Sequence, residues 1–237
     1  MEAPLSALGG AIDGMLAEYV VLSEQGVVKV PAHLTDDEAA SLPCAAVTAW
    51  NALVRQGAMK AGDTVVCLGT GGVSMIALAF AKMSGAKAIV TSSSDEKLAI
   101  AKKLGADEVI NYKAIPDWDK TVIERTGGRG ADIVIEVGGS GTLSKSINAA
   151  RLGGTVSLIG VIAGVSGEIN TAAILRRHIR VQGIYVGSRE MFEEMNRAIE
   201  VNKMRPAIGR SFGFDEAGAA YRYLESAAHT GKVTIKF

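Results

Sequence analysis

TVVCLGTGGVSMIALAFAKMS (64–84) is the stretch that decides the fold. Residues 64–68 form an apolar run too short for a helix, and residues 72–84 have helical composition without a breaker. The turn between them, GTGGVS (69–74), carries a glycine-rich link from a buried strand into the start of a helix. That context gives the glycines a chemical meaning. Gly69 and Thr70 make a tight turn, Gly71 lets the backbone approach a pyrophosphate, and the first helix amides of Gly72, Val73 and Ser74 face the phosphates. Ser74 stands where the G-x-G-x-x-G pattern has its third glycine, and is small enough for helix–strand packing. The competing reading is a glycine-rich turn that holds no ligand; the strand–turn–helix setting favours the nucleotide.

Outward from this unit the same rhythm continues. Strands are expected at 88–92, 107–110, 131–137, 155–161 and 178–187, with helices at 95–105, 118–127, 141–153 and 188–202. Continuous apolar strands alternating with helices indicate an α/β fold with a parallel sheet covered on both faces. Six strands in two βαβαβ halves make a doubly wound, six-stranded Rossmann sheet. A helix (215–227) and a strand (232–237) close the chain. Ahead of the sheet, 16–30 reads as two strands around a turn. Thr35 and Glu38 form a capping box, and Pro43 should kink or split the helix that follows.

The second strand bears on the choice of nucleotide. A site selective for NAD places Asp or Glu at that strand's tip, on the ribose 2′-hydroxyl. Here the tip reads VTSSSD (90–95). Ser92 and Ser93 are neutral and can donate to a 2′-phosphate, while Asp95 reads as the start of the next helix. Lys97 and Tyr112 can reach the same pocket. The expected cofactor is therefore NADP(H) in preference to NAD(H).

Composition narrows the setting. The 25 basic residues balance the 25 acidic ones, which argues against an electrostatic grip on nucleic acid or an anionic membrane. No apolar run approaches the ~20 residues of a membrane span. MEAPLSALGG (1–10) lacks the pattern of a secretory signal, and Cys44 and Cys67 make neither a disulfide framework nor a CxxC pair. A cytoplasmic protein with a small-molecule substrate is expected.

LPCAAVTAWNAL (42–53), the GTGGVS turn, KLAIAKKLGADEVINY (97–112) and GKVTIKF (231–237) together resemble the medium-chain dehydrogenase/reductase superfamily, in its zinc-type alcohol dehydrogenase-like and quinone oxidoreductase-like branch. The resemblance covers essentially the whole chain. It implies that 1–42 is the last part of a GroES-like catalytic domain, 43–204 the dinucleotide-binding domain, and 205–237 a helix and strand returning to the catalytic domain. Family members carry about a hundred residues before the point where this chain begins, the size of an added domain, so a truncated product or fragment is expected.

The resemblance also implies site residues. Thr48 matches the threonine near the nicotinamide and is the candidate to polarise a carbonyl. Val137 and Gly138 match the fourth strand's end beside the cofactor, and Gly160 and Val161 the fifth strand's end at the nicotinamide amide. Gly187, Ser188 and Lys232 are further candidate contacts. Residues 178–187 resemble the edge strand through which these enzymes form homodimers. Cys44 matches one catalytic zinc ligand, but such a zinc needs three protein ligands, and His33, His178 and His229 show no ligand spacing to it. Zinc is therefore not expected, and Cys44 is expected to be a buried thiol.

The implied activity is hydride transfer between the cofactor and a carbonyl, alcohol, quinone or enone. No general acid is evident, so an inactive NADP(H)-binding module is the alternative. No YxxxK pair supports a short-chain dehydrogenase, and no G-x4-GK-[ST] run supports a P-loop NTPase.

Overall fold

The computed structural model describes residues 7–237. Strands β1 (Thr64–Leu68), β2 (Lys87–Ser92), β3 (Glu108–Asn111), β4 (Ala131–Glu136), β5 (Ala150–Leu158) and β6 (Arg180–Gly183) form one parallel sheet. Their order is β3-β2-β1-β4-β5-β6, the doubly wound Rossmann arrangement, with its reversal between β1 and β4.

Each central strand is buried on both faces because its alternate residues enter different cores. Val65 and Cys67 join Val90, Ile133 and Ile135 on one face. Val66 and Leu68 join Ile89 and Val134 on the other. The first core is covered by α2 (Val47–Trp50), α3 (Gly72–Met83), α4 (Asp95–Lys103) and α8 (Arg189–Asn202), through Ala49, Ile76, Leu98 and Met195. The second is covered by α5 (Trp118–Arg125) and α6 (Ser140–Ala149), through Val122 and Ile147. Each fully buried Ile or Leu contributes roughly 1.5–3 kcal/mol, so these unbroken apolar runs hold the sheet between its helices.

A smaller unit packs at the side. There β7 (Ile208–Gly213) and β8 (Lys232–Lys236) pair in parallel through the crossover helix α9 (Ala217–Glu225). Helix α1 (Asp36–Ala40) begins at the expected capping box, with the Glu38 amide donating to Thr35 Oγ1 at 3.4 Å and the Thr35 amide to Glu38 Oε2 at 2.8 Å. Ion pairs from Arg205 to Glu38 and from Lys236 to Asp37 tie α1 to that unit. The helix breaks where expected, at Pro43 (ψ 146°) and Cys44 (φ 61°).

Several expectations need correction. Residues 16–30 form no strand; they hold a short helical turn, Glu24–Gly26, and Val21 is 100% exposed. An apolar run becomes a strand only where a neighbour completes its ladder, and none of the described residues pairs with it. The helix expected over 141–153 stops at Ala149, and β5 starts at Ala150. Gly154 makes this possible: a Cβ there would lie 3.0 Å from the carbonyl oxygen of Ala131 on β4. The strand β6 has four residues where ten were expected. Helix α7 (Thr171–Arg176) and β7 were not foreseen, because the segment IGRSFG has no apolar run and forms only where β8 offers an edge. No helix among the described residues is long and apolar enough to cross a membrane.

Candidate functional site

The site is at the C-terminal ends of β1, β2 and β4, around the point where the strand order reverses. The chain leaves β1 through Gly69, whose φ of 74° is left-handed and favours glycine. Gly71 caps α3, and a Cβ built on Gly69 or Gly71 would meet nothing within 4 Å. The turn therefore presents bare backbone to open space. The first α3 amides have no partner within the helix, and they carry its positive dipole end. Ser74 Oγ donates to the Leu68 carbonyl at 2.5 Å, tying the helix back onto β1 in the place of a third glycine. At Gly72 a Cβ would fall 2.6 Å from Lys232 Cδ, so this glycine is what lets Lys232 lie over the turn.

Eleven of the expected residues come together here. A cleft of about 450 Å³ is lined by Gly69, Thr70, Gly71, Gly72, Val73, Ser74, Ser92, Ser93, Lys97, Tyr112 and Val137. It adjoins a second cavity of about 360 Å³ that includes Gly138, Trp118, Thr142 and Ala163. Leu68, Gly69, Tyr112, Val137 and Ile162 line both, so the two form one groove. A polar turn beside a largely apolar hollow suits a dinucleotide, which has a charged middle and a flat base at its end. Ser92 is buried at the tip of β2, and Asp95 is in the first turn of α4, accepting from Asn111 Nδ2 at 2.8 Å. The acid is thus engaged with β3, and the strand tip stays neutral.

Other expected residues are placed elsewhere. Thr48 is buried on α2 and does not line the cleft, because the apolar residues around it pack α2 against α3. Gly160 packs on the end of β4, where a Cβ would clash with the Val137 carbonyl oxygen at 2.1 Å. Val161 is exposed beyond β5, and the neighbouring Ile162 and Ala163 line the groove instead. Ser188 caps α8, with the Met191 amide donating to its Oγ at 3.2 Å, and Gly187 packs on Val47.

Two features were missed. The fully buried Glu136, at the end of β4, accepts from the amides of Gly138 (2.7 Å) and Gly139 (3.0 Å) and from Thr142 Oγ1 (2.6 Å) and Ser146 Oγ. It holds the β4–α6 turn that walls the groove; its signal was a lone carboxylate inside the apolar run ADIVIEV. The second is His229, which with Ala227 lines the cleft from the segment after α9. Burial, followed by the charges of Lys97 and Lys232, pushes the His229 imidazole below its ordinary pKa.

Cys44 is exposed, contrary to expectation, because Pro43 breaks the helix and turns the thiol outward. Among the described residues no three His, Cys, Asp or Glu side chains group as a metal site. Cys67 is sealed within β1, and burial pushes its thiol up to about 12.

Residues 72–201 match the zinc-binding dehydrogenase family. The chain belongs to that family. A zinc-type alcohol dehydrogenase-like protein of Schizosaccharomyces pombe is 46% identical to it, over 98% of this chain and 68% of its own length. The solved structure of an NAD-dependent alcohol dehydrogenase is 35% identical with a TM-score of 0.90, over 97% of this chain and 67% of that one. A 2-octenoyl-CoA carboxylase reductase, solved with NADP and 2-octenoyl-CoA, is 31% identical with a TM-score of 0.88, over 94% and 54%. These relatives place the chain within an oxidoreductase family, and it spans about two thirds of the length of the first two.

Proposed function

We propose that this dehydrogenase-family chain binds NADP(H) along the groove and serves hydride transfer to or from a carbonyl, alcohol, quinone or enone. The observation that carries the reading is the open turn at Gly69 and Gly71, set at the strand switch point and facing a β2 tip without an acid. The turn amides through Ser74 would hold the pyrophosphate, with Lys232 beside them. Ser92, Ser93, Lys97 and Tyr112 would hold a 2′-phosphate, and Val137 and Gly138 the adenosine side. Gly160 and Val161 remain candidates for the nicotinamide end through their backbone. When bound, the nicotinamide supplies the hydride chemistry; the chain orients it and screens it from water. One neighbour is NAD-dependent and another was solved with NADP, so the preference for NADP(H) rests on the β2 tip.

The burial of Thr48 favours a second reading, binding without turnover, since the side chain expected to polarise a carbonyl does not line the groove. Fluorescence titration with NADPH and NADH tests the pocket: NADPH should bind tighter, and tighter NADH binding would overturn the assignment. NADPH consumption with a panel of quinones, enones and aldehydes then separates the two readings, because a bare binding module consumes none. We also infer a homodimer in which β6, one of the two edge strands of the sheet, pairs with its copy. A monomeric mass by light scattering at micromolar concentration would refute this.

A further inference from the structure

We propose that His229 is a specificity-determining residue that, together with Lys97, binds the phosphomonoester of a 2′-phosphorylated adenosine cofactor. The inference rests on the NADP(H) reading above and assigns a selective part of that site to the segment that follows α9.

The geometry is specific. Lys97 Nζ, from α4, donates to the carbonyl of Ala227, two residues before His229, and so draws this segment over the tip of β2. An ammonium has three donors, so Lys97 keeps others for a ligand. His229 lines the same cleft as Ser92, Ser93 and Lys97. Its Nδ1 is buried without a hydrogen-bond partner, which leaves Nε2 as the nitrogen available to the cleft. The groups facing it are Lys97 on α4, Lys232 on β8, Tyr112 after β3, and the Tyr223 ring on α9 at 6.3 Å. No residue lining the cleft is a carboxylate. The imidazole thus stands in a surround of cations with no anion to balance it.

This arrangement couples ligand choice to a proton. In the free cleft, burial and the two lysines favour the neutral ring. A phosphomonoester brings a charge of about −1.5 to −2 and strong acceptor oxygens, which reverses the local field and favours the imidazolium. Binding of the phosphorylated cofactor therefore takes up a proton, and its affinity must rise as the pH falls through the bound-state pKa. NADH shares the pyrophosphate but lacks the monoester, so its affinity should lack this component.

The test measures Kd for NADPH and NADH at pH 6 and pH 8, in the wild-type chain and in His229→Gln. The wild-type preference for NADPH should fall by about tenfold more across this range than the variant's, since one proton linked over one pH unit changes affinity tenfold. The titrating 2′-phosphate is common to both proteins, so the comparison cancels it. A second measurement uses only the wild-type chain: an NMR titration of the His229 ring with and without 2′,5′-ADP, assigned against His33→Gln and His178→Gln. The midpoint should move up by about one unit. An unmoved midpoint, an unchanged preference in His229→Gln, or equal losses of NADPH and NADH affinity would overturn the proposal. Tighter NADH binding by the wild type would instead remove the cofactor reading itself.

Discussion

The two ends of the six-stranded sheet are built on opposite plans. Where β1 and β4 begin, charged side chains pair with one another beside a cavity of about 320 Å³ that Asp132 and Arg151 line. Asp132, 3% exposed, accepts from Arg129 Nη1 and Nη2 at 2.6 and 2.7 Å and from Arg151 Nε at 2.5 Å. It also accepts from the Thr64 amide at 2.8 Å, joining the starts of β1 and β4. Where the same strands finish, the chain offers glycine, free helix amides and open space. The buried acid there, Glu136, is spent on its own turn, so the groove keeps no anion to repel a phosphate. One end uses charge to hold the fold, and the other leaves charge to be supplied by a ligand.

Removing the acid from the charge-paired end should give the largest effect. Asp132→Ala leaves the buried Thr64 amide without its acceptor and the partly exposed Arg129 and Arg151 without their partner, and should cost about 1–3 kcal/mol, read from urea unfolding. The cofactor affinity of the folded protein should not change, because Asp132 is at the opposite end of β4 from the cleft; a matching loss of affinity would collapse the distinction. A smaller effect appears in acid. Burial alone would raise the Asp132 carboxyl, but Arg129, the Thr64 amide and Arg151 outweigh it and hold the group below its ordinary value. A depressed carboxylate stabilises the fold above the unfolded pKa of about 3.9, and that stability is lost as the pH falls further. Wild-type stability should therefore drop below about pH 4 more steeply than that of the variant. Equal slopes would remove the ion pairs from the account.

The sequence made the glycine end legible and the charge-paired end much less so. Glycines at 69 and 71 between an apolar run and a helix are a local pattern, since strand, turn and helix are neighbours in the chain. The burial of alternate residues in two cores likewise follows from the unbroken apolar runs of β1, β2 and β4. Asp132 gave little signal, because only Arg129 is a neighbour in the chain and its other partners, Thr64 and Arg151, are far away. His229 and β7 were hidden for the same reason, each taking its place from a distant segment. The run at 16–30 misled in the other direction: its apolar pattern was clear, but a strand also needs an edge to join.

The most direct test of the central claim compares NADPH binding by the wild-type chain and by Gly71→Val. The φ of −76° at Gly71 is open to any residue, and the space beyond it is empty, so the valine should leave the fold intact and fill the approach to the turn. The expected result is an unchanged melting temperature within a few degrees and a loss of at least about 30-fold in affinity, about 2 kcal/mol. A folded Gly71→Val protein that binds NADPH as tightly as the wild type would contradict the claim that the glycine turn is the cofactor site.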